Sequence, residues 1–124
     1  MLTLFALQTV NAQRIVEASV VSAPLYVTSI FQISCEMFDK NFTELKKVIE
    51  IKSNYFVDLN HLLNGSKPVT RNGIDVWGKI VIKYDNNIIR KICFDEFGIF
   101  SEGTKYFRNK RLWEFILRNK LVET

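Results

Sequence analysis

Apolar and polar residues alternate along much of the chain. In residues 31–37, Phe31, Ile33, Cys35 and Met37 fall on one side and Gln32, Ser34 and Glu36 on the other. That period of two predicts a half-buried strand. It closes a β-rich stretch, residues 15–38, in which Pro24 marks a break or a sheet edge because proline donates nothing to a ladder. Two more strands are predicted over residues 74–84 and 88–95, with Ile80, Ile82 and Tyr84 opposite Lys79, Val81 and Lys83. Asp85-Asn86-Asn87 joins them with residues that tolerate the positive φ of hairpin turns. Gly98 marks a bend, and Ser101-Glu102-Gly103 turns a hairpin from Ile99-Phe100 to Tyr106-Phe107.

Helical spacing replaces alternation in two places. Phe56, Leu59, Leu62 and Leu63 share one side of a helix that Asn54 would cap and Asn64-Gly65 would stop, with Gly65 left-handed. Residues 109–121 form a closing amphipathic helix with Leu112, Phe115, Ile116 and Asn119 on one face and Trp113 at its flank. Asn41 to Glu44 resembles a capping box for a short helix to about Lys46, after which Val48-Ile49-Glu50-Ile51 turns back into a strand. Residues 66–73, with Pro68 and Asn72-Gly73, read as a loop. This order predicts an α+β domain: an antiparallel or mixed sheet with two helices packed on it.

A length of 124 residues, 48% of them hydrophobic and including ten Phe, fits one domain with a core of its own. That domain is expected to span residues 13–124. The apolar run of residues 2–10 is too short to cross a bilayer and matches the h-region of a signal peptide. Val10 and Ala12 stand at −3 and −1 of a cut before Gln13, although no Lys or Arg precedes the run; a buried first strand or helix is the alternative. No later stretch would serve as a transmembrane anchor. The expectation is therefore an exported protein, periplasmic or extracellular. Cys35 and Cys93 allow one bridge, yet each sits in an apolar strand-like run where a free cysteine acts as a small buried hydrophobe.

Candidate chemistry is sparse. His61 is the single histidine, so neither a zinc site nor a Cys–His nucleophile has local support, and it reads as a helix-surface residue. Asp95 and Glu96 are adjacent, so in a strand they point to opposite faces, poorly placed as an acid–base couple. Asn41-Phe-Thr and Asn64-Gly-Ser match the glycosylation pattern but are explained by capping and turns. Phosphate loops, nucleophile elbows and cofactor motifs are absent, so no catalytic residue, metal or cofactor is assigned.

Charge changes the picture only in the second half. Residues 13–66 carry five Lys/Arg against six Asp/Glu, and residues 67–124 carry twelve against seven. Lys105, Arg108, Lys110, Arg111, Arg118 and Lys120 cluster around Glu114 and interleave with Tyr106, Phe107 and Trp113. Such a stretch can bind anions and stack bases. It equally describes a docked helix whose cationic heads reach water, the reading that Leu112, Phe115 and Ile116 favour. Lys105, Arg108, Lys110, Arg111 and Arg118 are the candidate anion-binding residues.

The C-terminal half, through Asp75-Val-Trp-Gly-Lys-Ile-Val-Ile-Lys-Tyr84, Ile92-Cys-Phe-Asp-Glu-Phe-Gly98 and the closing helix, resembles small exported hypothetical proteins of bacteria. The resemblance covers about half the chain and implies export and fold, not an activity. The expected function is a non-enzymatic interaction or ligand-binding domain whose partner is a protein or small ligand. A basic module binding envelope polyanions or nucleic acid is the alternative, and a small hydrolase using Cys or carboxylates comes third.

Overall fold

The computed structural model describes residues 13–23, 33–39 and 46–122. The expected signal segment, Pro24 with the run after it to Gln32, and the Asn41 capping box lie outside the described residues. The strands are β1 (Ile15–Ser22), β2 (Lys47–Glu50), β3 (Lys67–Val69), β4 (Gly78–Tyr84), β5 (Ile89–Phe94), β6 (Ile99–Glu102) and β7 (Lys105–Arg108). The helices are α1 (Cys35–Phe38), α2 (Phe56–Leu63) and α3 (Lys110–Arg118). Among the described residues the strands form one sheet in the order β2-β1-β4-β5-β6-β7-β3, with every pairing antiparallel. The class is α+β, and the sheet is antiparallel rather than mixed.

The turn residues act as their chemistry requires. Asn87 takes φ 69° between β4 and β5, and Gly103 takes φ 62° between β6 and β7. At Gly98 two demands coincide: φ is 85°, and an added Cβ would lie 2.8 Å from the Trp113 ring. Asp95 is buried, and its Oδ1 accepts from the N–H groups of Phe97 and Ile99, each at 2.9 Å. Its carboxylate builds a turn.

Registers line the side chains into cross-strand rows. On one face Ser22, Gly78, Phe94, Phe100, Phe107 and Pro68 stand side by side from β1 to β3. Phe100 and Phe107 stack at 5.4 Å, and Phe94 meets Trp113 of α3 edge-on at 5.5 Å. This face shares one buried cluster with Leu59 and Leu63 of α2 and Leu112, Phe115 and Ile116 of α3. On the other face Val48, Val21, Lys79, Cys93, Ser101, Tyr106 and Val69 form a row across all seven of these strands. Here a smaller cluster gathers Ile33, Phe38, Ile74, Val76, Cys93 and Ile99.

Several local expectations are corrected. Residues 33–37 do not continue a strand: Ser34 caps α1, its Oγ accepting from Met37 N–H at 3.2 Å, and Phe38 rather than Met37 is buried. A serine placed to cap outweighs a short alternation that a single helical turn also accommodates. Cys35 and Cys93 are bridged, not free, with Cα atoms 5.8 Å apart. A 3₁₀ turn, Ser53–Tyr55, contains Asn54 and leads into α2 without a side-chain cap. Gly65 does not take a positive φ; α2 ends through Asn64 N–H to His61 C=O and Gly65 N–H to Leu62 C=O, both 3.1 Å. The loop after it contains β3, where Pro68 is tolerated because the strand is an edge. Residues 74–77 precede the ladder of β4, and Trp77 N–H bonds Phe94 C=O at 2.8 Å.

The short α1 is anchored by charge as well as by sulfur. Lys46 Nζ donates to the carbonyls of Phe38 and Asp39 at 2.9 and 3.0 Å and stands over the Phe38 ring. Lys79, buried on the sheet, ion-pairs with Asp39. That hydrogen bond holds the Asp39 carboxyl below its usual range; partial burial opposes it, and the charges of Lys79, Lys46 and Lys91 reinforce it. A depressed carboxylate stabilises the fold above its unfolded value of about 4, and the contribution disappears as pH falls through the lower folded value. Asp39→Asn is therefore expected to lower Tm at pH 7, and the difference from the wild type is expected to shrink as pH falls below about 4. Thermal melts of both proteins across that range check this; an equal difference at both ends would contradict it.

Candidate ligand-binding groove

Antiparallel pairing of β3 with β7 sets Pro68 against Phe107 and Val69 against Tyr106. Beyond Val69 the chain leaves the sheet edge through Thr70 and Arg71, while β7 begins at Lys105 after the turn at Gly103-Thr104. The divergence opens a groove of about 570 Å³ lined by Pro68, Val69, Thr70, Arg71, Lys105, Tyr106 and Phe107, with Ser66 and Thr104. Its walls are mainly apolar and aromatic. Arg71 and Lys105 are the charged groups among the described residues of this lining, which include no carboxylate. Both are exposed, and neither forms an ion pair among the described residues. Apolar walls with a few polar groups to orient a ligand are what small-molecule sites have in common.

The candidate anion-binding residues belong to different elements and groove linings. Lys105 lines this groove. Arg111 and Arg118, seven residues apart on α3, line another of about 450 Å³ with Tyr55, Asp58, His61 and Asn119. Arg108 stands opposite Lys67 across the β3–β7 ladder, and Lys110 opens α3 toward solvent; neither belongs to the lining of these two grooves. Lys120 is exposed beyond the helix with φ 54°. Arg71, Val69 and Thr70 were not among the sequence candidates. The local signal for them was Val69-Thr70, two β-branched residues directly after Pro68, enough for an edge strand.

Elsewhere the geometry closes options. Both sulfurs are in the bridge, so no thiol is present for a Cys–His couple. His61 is an exposed residue of the last turn of α2. Arg90 and Glu102 form a two-pronged pair at 2.9 and 2.7 Å beside Tyr84, satisfying each other on the strands. Tyr106 borders both the groove and a cleft over the disulfide that includes Cys35, Gly73 and Ser101. No helix among the described residues is long and apolar enough to cross a membrane. No family model, no curated protein and no solved structure matches the chain.

Proposed function

We propose that this chain is an exported, non-enzymatic binding domain, its two longer helices packed on one face of the sheet, that takes an amphipathic anion into the β3–β7 groove. The observation that carries the reading is the lining itself: Pro68, Val69, Tyr106 and Phe107 beside two cations, Arg71 and Lys105, with no ion-pair partner and no lining carboxylate among the described residues. An apolar body covers the walls, and an acidic head meets the cations. Export is supported by the apolar run that ends at Val10-Asn11-Ala12 and by the Cys35–Cys93 bridge, a bond kept in oxidising compartments. The polyanion alternative needs Lys105, Arg108, Lys110, Arg111 and Arg118 to act together, and their distribution over two grooves and a strand favours a small ligand.

Dodecanoate against dodecanol is the test, because the two differ in the head group alone. Dodecanoate is expected to bind about tenfold or more tightly, the size of one charge-assisted hydrogen bond. Arg71→Gln with Lys105→Gln should abolish the difference at unchanged Tm. Equal binding of acid and alcohol, or a preference that survives both substitutions, would contradict the reading. Heparin binding whose affinity falls log-linearly with salt would move the polyanion alternative ahead.

A further inference from the structure

The Cys35–Cys93 bridge joins two unlike environments. Cys93 lies in β5 and is wholly buried, whereas Cys35 opens α1 and is partly exposed. α1 is four residues long, closed by the bond from Phe38 N–H to Ser34 C=O at 2.9 Å and by the Ser34 cap. So short a helix has no stability in water beyond what it packs on. It packs on the smaller of the two buried clusters, which shares no buried residue with the larger cluster of α2, α3 and the opposite face.

We propose that the bridge is a redox latch: a dithiol reductant opens it at Cys35, and opening frees residues 33–39 from the sheet while the larger core stays folded. The reductant's thiolate attacks Cys35 Sγ, the S–S bond breaks, and Cys93 leaves as a thiolate that takes a proton. The reductant's second thiol then displaces Cys35, which leaves as a thiol, and the reductant ends as its own disulfide. Two electrons and two protons have passed to the protein. Entry at Cys93 is closed because no solvent reaches it. After reduction residues 33–39 keep buried Ile33 and Phe38, the Asp39–Lys79 pair, the Lys46 Nζ bonds to the Phe38 and Asp39 carbonyls, and two bonds of Ile33, to Asp75 Oδ1 and from Val76 N–H, both 2.8 Å. Their buried part belongs to the smaller cluster alone, and contacts localised in that way open without the larger core.

Hydrogen exchange on the full chain, oxidised and after dithiothreitol, tests the latch. The amides of Ile33, Phe38 and Val76 are expected to exchange roughly 100-fold faster after reduction, the scale of a lost cross-link. The amides of Ile80 and Ile82 should change less than about threefold. Limiting glutathione should leave its mixed disulfide on Cys35 in the peptide map. Protection lost together across the sheet would show that the bridge supports the whole fold and overturn the proposal. Unchanged protection at residues 33–39, or a mixed disulfide on Cys93, would overturn it as well. A Cys35→Ser, Cys93→Ser variant should reproduce the reduced pattern without reductant.

Discussion

Replacing Phe94 with alanine is expected to destabilise the domain by about 3–5 kcal/mol, as emptied aromatic core sites do. Phe94 is fully buried and meets three rings edge-on: Trp77 at 6.3 Å, Phe100 at 6.1 Å and Trp113 at 5.5 Å. It therefore joins the strands to α3, and its loss opens a cavity that several rigid neighbours border. The same ring explains Gly78, its register partner: a Cβ there would overlap the Cζ end of the Phe94 ring, which its neighbours keep from moving aside. Gly78→Ala is expected to cost about 1–3 kcal/mol by overpacking. In a Phe94→Ala background that cost should largely vanish, since the obstacle is gone. Denaturant midpoints of the four proteins measure this coupling; additive losses would show that the ring is not what requires a glycine.

The second large effect separates the two sides of α3. Phe115 is buried, meets Tyr55 edge-on at 5.6 Å and belongs to the larger cluster, so Phe115→Ala is expected to cost about 3–5 kcal/mol. Arg111 and Arg118 on the same helix are exposed and without ion-pair partners among the described residues. Reversing both to glutamate should change stability by no more than about 0.5 kcal/mol. Thermal and urea melts check the contrast. Loss of stability on charge reversal equal to that of Phe115→Ala would mean that the basic side is structural.

Much of this fold was legible because its signals are local. Ile80, Ile82 and Tyr84 alternate with less buried partners, Asn87 and Gly103 take the positive φ their turns need, and Leu112, Phe115 and Ile116 repeat at helical spacing. What escaped depends on residues far apart in sequence. The alternation over residues 33–37 lost to the Ser34 cap, the burial of Phe38 and a disulfide to a residue 58 positions away. Pro68 read as a loop because proline breaks central strands, and only the sheet order reveals that β3 is an edge. The groove was half visible for the same reason. Lys105 belonged to an evident basic run, but Arg71 joins it only through the pairing of β3 with β7.

Amide shift mapping by ¹H–¹⁵N correlation spectra during a dodecanoate titration tests the binding reading most directly. Saturable shifts should concentrate at residues 69–71 and 104–107, with the α2–α3 groove around Arg111 and Arg118 little affected. Shifts centred on Arg111 and Arg118, or no saturable shifts at the β3–β7 edge, would contradict it.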